Sequence, residues 1–285
     1  MHQEFKFQGQ SGPITIIPIS TGTVSMKTKA HTARFNNFGL RLIDIIRDNR
    51  FTDDLPVYTW LIRHPEGLFL IDTGYSHQIN QPDYFKKAAP IEKWFSRTQV
   101  TTRVDRPDEL VHQLAEIGIR LSDIHSVILT HLHVDHVGGI PDMRGLRYIV
   151  NAEEVEHNSH AFLLPKWFAP EKVTFPQQGV GAFPRSIPLT QRGDMHFVAT
   201  PGHTRGHSSI LLQTRNVDIL FAGDLVYSAQ QLTDHTTSAP NEVKSSRLTY
   251  QMVESYARNS PLIVLPSHDA QALDRLRNHE TISFR

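Results

Sequence analysis

The residues best suited to chemistry lie in one stretch, Thr130-His131-Leu132-His133-Val134-Asp135-His136-Val137-Gly138-Gly139. Three imidazoles and one carboxylate fall between positions 131 and 136, directly after the apolar run Val127-Ile128-Leu129, which reads as a buried strand. Neutral imidazole nitrogen and carboxylate oxygen suit borderline divalent ions, zinc first. His131 and His133 can reach one ion, and Asp135 and His136, next along the turn, can face a second. Gly138 and Gly139 are expected to let the backbone turn sharply where a side chain would clash. The chain has 17 histidines, so a chance cluster is the alternative. A strand running into this pattern and then into two glycines outweighs that alternative.

Other groups of the same chemical type sit where apolar runs end. The runs Val57-Tyr58-Thr59-Trp60-Leu61-Ile62 and Leu68-Phe69-Leu70-Ile71, separated by His64-Pro65-Glu66-Gly67, read as a hairpin that ends in Asp72-Thr73-Gly74. Asp72 either forms a turn or orients a metal-bound histidine from behind, and the family resemblance given below favours the second use. Met195 to Ala199 reads as a strand leading into Thr200-Pro201-Gly202-His203-Thr204-Arg205-Gly206-His207. Ser208–Leu212 and Val217–Phe221 follow, the latter ending in Ala222-Gly223-Asp224-Leu225-Val226-Tyr227. Leu262 to Leu265 is a last strand, ending in Pro266-Ser267-His268-Asp269. A sandwich of sheets would bring all these strand ends to one edge.

The elements that must hold them in place read as an α/β arrangement. Ile14 to Ile19 is a first strand, with Pro18 marking an edge or an end. A helix is expected after Pro107 at its first position, with Leu110, Val111, Leu114 and Ile117 on one face and Gly118 closing it. Arg147 to Val150 is a strand, and Asn151 caps a helix over 152–157. A helix from about Arg247 to Arg258 carries Leu248, Met252, Val253 and Tyr256 on one face, with Ser246 as cap. Residues 20–55, with Met26, Phe35, Phe38 and a short helix around Leu40, Ile43, Ile45 and Ile46, are either a mobile or partner-covered segment or a surface insertion. Residues 77–104 show no clear periodicity. Residues 161–190 are too rich in proline for a helix. They form either a loop closing an apolar pocket or a loop packed on its own domain.

Composition narrows the class. Lysine plus arginine equals aspartate plus glutamate, 29 each, for a formal charge of zero, and no basic run marks a nucleic-acid track. There is no cysteine, which removes disulfides and thiolate ligands and leans towards a cytoplasmic protein. The start, Met1-His2-Gln3-Glu4-Phe5-Lys6, lacks the apolar core of a signal peptide. No apolar run approaches the roughly 20 residues of a membrane span.

With Asp72-Thr73-Gly74, the histidine stretch, Thr200 to His207, Gly223-Asp224 and His268 in place, the sequence resembles the metallo-β-lactamase superfamily over residues 72–268. The resemblance implies a four-layer αβ/βα sandwich, taken as one domain over 1–285 with insertions at about 20–55 and 77–104. It implies that His131, His133 and His203 hold one ion, that Asp135, His136 and His268 hold the other, and that Asp224 bridges them. Two divalent ions, zinc by default with cobalt, manganese or iron acceptable, would share a hydroxide for hydrolysis. The zinc β-lactamases of the common class use cysteine where Asp224 falls, which disfavours that branch. The chain is closest in pattern to the N-acyl homoserine lactonases, which carry a tyrosine three residues after the bridging aspartate, here Tyr227. Tyr227 and Asp135 are then the candidate catalytic residues. The expected reaction is opening of an acyl homoserine lactone ring by attack of the metal-bridging hydroxide on its carbonyl, silencing a quorum-sensing signal. The alternatives are a glyoxalase II-like thioesterase or an organophosphate hydrolase on the same scaffold. Elongated members of this kind often dimerise, so a homodimer acting on a small acyl lactone is expected, without nucleic acid or membrane.

Overall fold

Most strands of this chain are apolar at consecutive rather than alternate positions, a pattern that requires cover on both faces. The computed structural model describes residues 3–157 and 160–284, so Met1 and His2 of the N-terminal stretch read above lie outside the described residues. Strands β1 (Phe5–Gln8), β2 (Pro13–Met26), β3 (Leu55–His64), β4 (Gly67–Ile71), β5 (Val100–Arg103), β6 (Ile124–Ile128), β7 (Tyr148–Asn151) and β8 (Glu171–Val173) form one sheet. Its order is β1-β2-β3-β4-β6-β7-β8, with β5 also paired to β2. Strands β9 (Ser186–Pro188), β10 (Met195–Ala199), β11 (Ser208–Leu212), β12 (Asp218–Gly223) and β13 (Leu262–Pro266) form the second, in the order β13-β12-β11-β10-β9. The helices are α1 (Thr28–His31), α2 (Phe38–Arg47), α3 (Pro90–Thr98), α4 (Leu110–Glu116), α5 (Val134–Val137), α6 (Ala152–Glu156), α7 (Ala229–Thr233), α8 (Val243–Ala257) and α9 (Ala272–Asn278).

Side-chain alternation along the strands divides the apolar residues among three layers of core. Ile14, Ile16, Trp60, Ile62, Phe69 and Ile71 of the first sheet meet Phe197, Ile210, Ile219, Phe221 and Ile263 of the second. The intervening residues Ile17, Ile19, Leu61, Leu70 and Val127 point the other way, onto Leu110 and Leu114 of α4. On the far side, Val198, Leu211, Leu220 and Val264 pack against Tyr250, Val253 and Tyr256 of α8. Helix, sheet, sheet, helix is the four-layer αβ/βα sandwich. Because β4, β6 and β7 run parallel, as do β12 and β13, their C-terminal ends all open at the same edge.

Several local expectations shift. Pro18 lies inside β2, opposite Trp60 of β3. It is tolerated because β1 pairs only as far as Ile16 and β5 begins only at Thr23, so no ladder bond is due on that side. Residues 20–26 continue β2 rather than starting an insertion. The helix after Pro107 begins at Leu110; Pro107 sits in a separate 3-10 turn, Arg106–Asp108. Gly118, at φ 74°, closes α4 as expected. Helix α8 starts earlier, at Val243, capped by the Glu242 side chain on the amides of Lys244 and Ser245; Ser246 is interior and Leu248 faces outward, 50% exposed. The 161–190 segment packs on its own domain. Trp167 and Phe168 join the α4 layer, Phe175 the inter-sheet core, and Phe183 is fully buried against the α8 layer. Those four aromatics are spent on the core, whereas Phe162, 6.1 Å from the His160 ring, lies on the side of His133. Among the described residues no helix is long and apolar enough to cross a membrane.

Candidate metal centre

Each chemically interesting side chain sits just past a strand end, where the backbone leaves the sheet. Asp72 follows β4, His131 and His133 follow β6, His203 follows β10, Asp224 follows β12 and His268 follows β13. The short helix α5 then turns Asp135 and His136 back towards the same point. Gly138 and Gly139 have ordinary helical φ values of −58° and −79°, so the expected sharp turn is absent. They are needed for close approach instead: a Cβ on Gly138 would stand 2.6 Å from the Ser76 amide, and one on Gly139 2.6 Å from the Thr73 carbonyl. The Asp72–Ser76 loop is thereby pressed against α5.

The seven side chains gather in two adjoining sets. His131, His133 and His203 form one, with ring centroids 4.5, 4.7 and 4.6 Å apart in a mutually tilted tripod. His203 Nε2 and His133 Nδ1 point at each other across 2.8 Å. Asp135, His136, Asp224 and His268 form the other. Asp224 spans both: Oδ1 lies 3.1 Å from His136 Nε2 and 3.3 Å from His268 Nε2, while Oδ2 lies 3.5 Å from His203 Nε2. His268 Nε2 is also 3.1 Å from Asp135 Oδ2.

The rings are held from behind. The Asp72 carboxylate accepts from His136 Nδ1, the Thr130 amide and the Thr130 hydroxyl, each at 2.8 Å. Asp72 itself adopts φ 62°, a conformation that costs a non-glycine residue of order 1–3 kcal/mol and that these three bonds stabilise. The favoured use of Asp72 thus matches its contacts. His203 Nδ1 bonds Asn241 Oδ1 at 3.0 Å, and His268 Nδ1 bonds the Pro56 carbonyl at 3.0 Å. With Nδ1 engaged, Nε2 of His136, His203 and His268 carries the free lone pair.

Charge divides the two sets. Burial, reinforced by neighbouring imidazoles, pushes His131 and His133 well below the usual histidine range, and burial lowers His203. This set is neutral. In the other, burial opposes ionisation, but His136 and His268 outweigh it and draw Asp135 down to about 2. The carboxylates in turn overcome the burial of His268 and push it up to about 10. Burial raises the Tyr227 hydroxyl well above the usual phenol range, and Asp224 and Asp135 add to the shift. Its ring stands 6.0 Å from that of His203 and 5.4 Å from that of His268, one from each set.

A metal fits this donor set. His131 Nε2, His136 Nε2 and Asp224 Oδ1 are buried without a hydrogen-bond partner, although polar atoms at such depth are normally satisfied. Three such ligand atoms, from the loop after β6, from α5 and from the end of β12, all imidazole or carboxylate, are what a divalent ion of the zinc type would satisfy. A further group of metal-binding residue types, His64, Glu66 and Asp194, lies elsewhere.

Several contributors carry weaker signals in the sequence. His207 belongs to the motif, yet its ring accepts from the Asp224 amide at 3.1 Å and bonds the Thr200 carbonyl at 3.0 Å, so it fixes Asp224 rather than joining either set. Glu154 accepts from the Leu132 amide and the Thr204 hydroxyl, tying two site loops together. Within a helix whose sequence reads only as capped and polar, nothing distinguishes it. The His31 ring, at the end of α1, lies 5.7 Å from Tyr227, and the His160 ring, from a turn, lies 5.1 Å from His133.

Comparison with known proteins agrees with this geometry. Residues 52–268 match the metallo-beta-lactamase superfamily. The chain is 27% identical over 274 residues to the N-acyl homoserine lactonase AttM of Agrobacterium fabrum, covering 91% of this chain and 94% of AttM. It is 25% identical to an N-acyl homoserine lactonase of Bacillus sp, covering 76% and 83% of the two chains. Among solved structures, an N-acyl homoserine lactone hydrolase with the product N-hexanoyl-L-homoserine at its catalytic metal center superposes with a TM-score of 0.71 at 19% identity, over 94% of this chain and 98% of the other. The dizinc quorum-quenching lactonase AidC gives 0.64 at 16%, over 94% and 90%. With its sandwich, its strand-end histidines and aspartates and a match over most of its length, this chain belongs to the metallo-beta-lactamase superfamily.

Proposed function

We propose that this protein is a dinuclear metal-dependent hydrolase that opens the ring of N-acyl homoserine lactones. His131, His133 and His203 would hold one ion, Asp135, His136 and His268 the second, and Asp224 would be shared. Bound there, such ions would supply Lewis acidity and make a water-derived nucleophile available near neutral pH. The lactonase names of AttM and the Bacillus relative support the substrate class.

The observation that carries the reading is Tyr227, a buried phenol between His203 and His268. Since burial and the nearby carboxylates keep its proton on, it acts as a donor and never as a base. A donor at that spot can hydrogen-bond the lactone carbonyl oxygen as it gains charge, or hand its proton to the alkoxide that ring opening releases. Asp135, drawn well below the carboxylate range, stays ionised and is suited to orienting His268. Asp72 and His207 hold His136 and Asp224 in register for both roles.

The test follows proton release from acyl homoserine lactones of several chain lengths by zinc- or cobalt-loaded protein, beside a glutathione thioester and paraoxon. Turnover of the lactones ahead of the other two is expected. Absence of lactone turnover, or preference for the thioester or paraoxon, would overturn the assignment. Tyr227→Phe should lower kcat about 10²-fold with metal content unchanged; an unaltered rate would remove Tyr227 from the chemistry.

We also propose a cytoplasmic, single-domain chain that works as a homodimer. The apolar residues Phe38, Leu40, Ile43 and Ile46, 47–70% exposed on α2, support the dimer. Light scattering at micromolar concentration tests it, and a monomer would refute it.

A further inference from the structure

Helix α2 contributes one buried charged residue, Arg41, only 3% exposed. Its guanidinium makes five hydrogen bonds, and all of them go to neutral acceptors. Nε donates to the Phe35 carbonyl. Nη1 donates to the carbonyls of Ser238 (3.0 Å), Ala239 (3.1 Å) and Asn241 (2.9 Å), and Nη2 to the Thr237 hydroxyl (2.8 Å). Among the described residues it forms no ion pair. A buried cation without a counter-ion is costly, and a loop could be tied down more cheaply by neutral groups. What the planar fork does here that neutral groups cannot is collect three successive-turn carbonyls at one point.

The loop it grips, residues 237–241, is the one that reaches the candidate metal centre. Asn241 Oδ1 accepts from His203 Nδ1 at 3.0 Å and from the Ser238 hydroxyl at 2.6 Å. The Asn241 amide nitrogen faces the Leu225 carbonyl at 3.3 Å, which fixes which way the amide points. Because the oxygen faces the ring, His203 Nδ1 must carry the proton, which leaves Nε2 free as a ligand atom. Two backbone bonds, Ala33 amide to Thr237 carbonyl at 2.8 Å and Ala239 amide to Ala30 carbonyl at 2.8 Å, zip the stretch before α2 to the same loop.

We propose that Arg41 is a positioning residue: it holds the 237–241 loop so that Asn241, braced by Ser238, sets the tautomer and tilt of the His203 ring. The inference rests on the reading of His203 as a metal ligand. It gives the α1–α2 segment a task at the site although none of its side chains belongs to either ligand set.

The experiment titrates cobalt into the metal-free full-length protein and follows the visible ligand-field spectrum, for wild type, Arg41→Met, Arg41→Lys, Asn241→Leu and the double variant Arg41→Met/Asn241→Leu. Arg41→Met should weaken one of the two cobalt-binding steps about 10–100-fold and alter the spectrum of that ion, the size expected for loss of a group that orients a ligand. Lysine keeps the charge without the fork, so Arg41→Lys should weaken the same step and keep the protein folded. If Arg41 acts through Asn241, the double variant should be no worse than Asn241→Leu alone, within about twofold. A purely structural Arg41 would lower the melting temperature and leave cobalt affinity and spectrum at wild-type values, which would overturn the proposal. Fully additive losses would overturn the route through Asn241. Should Arg41→Met not fold, the Arg41→Lys titration decides by the same criteria. A wild-type protein that binds no cobalt would instead overturn the metal reading.

Discussion

The two ends of strands β4 and β10 carry the same residue types and use them in opposite ways. At the C-terminal ends lie His203, one of the seven clustered residues, and Asp72, which holds His136 of that cluster from behind. At the N-terminal ends, about 17 Å away for a five-residue strand, lie His64, Glu66 and Asp194. Here every ligand-type atom is already used. His64 Nε2 is 3.2 Å from Asp194, and its Nδ1 accepts from the Glu66 amide at 3.1 Å. Asp194 also accepts from the hydroxyls of Ser11 and Thr190, and both Glu66 oxygens accept from the amides of Gln191 and Arg192. This group is a clasp joining the two sheets. At the other end His131 Nε2, His136 Nε2 and Asp224 Oδ1 make no hydrogen bond, although the last two stand 3.1 Å apart. Residue type and proximity do not separate the two clusters. The number of buried polar atoms left unsatisfied does.

Variants sharpen the contrast. Asp224→Ala removes the one carboxylate that touches both histidine sets and should cost the most. Both ions should be lost on dialysis and hydrolysis should fall at least ~10³-fold, since metal activation supplies several kcal/mol. Retention of two ions, measured by elemental analysis, would contradict the shared role. Asp72→Asn keeps the shape but removes the charge behind His136. About 10–100-fold weaker metal binding is expected in competition with a chelator, and unchanged affinity would reduce Asp72 to a turn former.

Asp194→Asn should do the reverse: metal content unchanged and stability lower by ~1–3 kcal/mol in urea unfolding at pH 7. The pH dependence has a definite sign. Burial raises the Asp194 carboxyl, but its bonds from Ser11, Thr190 and His64 outweigh burial and leave it below the usual aspartate range. A depressed folded value means that the stabilisation is complete above the unfolded value of about 3.9 and is lost as pH falls through the folded one. The gap between wild type and Asp194→Asn should therefore close below about pH 4. A constant gap would show that charge plays no part in the clasp.

The sandwich and the strand ends were legible because apolar runs are local and each ends on a chemically distinctive residue. Val127 to Leu129 running into His131 is visible without knowing what packs on it. Asn241 and Arg41 were not, because their roles lie in contacts far apart in the chain, 38 residues for the His203–Asn241 bond and 200 for the Arg41–Asn241 bond. Glu154 reads as a helix residue and is a loop tie. The aromatics of 161–190 carry no sign of which surface they cover, since apolar residues suit a pocket wall and a core equally well. Pro18 does lie on a local edge, but that this edge falls in the middle of β2 depends on where the neighbouring strands stop.

Ligand atoms left without a hydrogen bond, rather than clustered ones, mark the metal centre. Elemental analysis of the metal-loaded, desalted chain tests it directly, in wild type and in His64→Gln. Two equivalents per chain are expected in both. A single equivalent in wild type, or an ion lost specifically in His64→Gln, would contradict it.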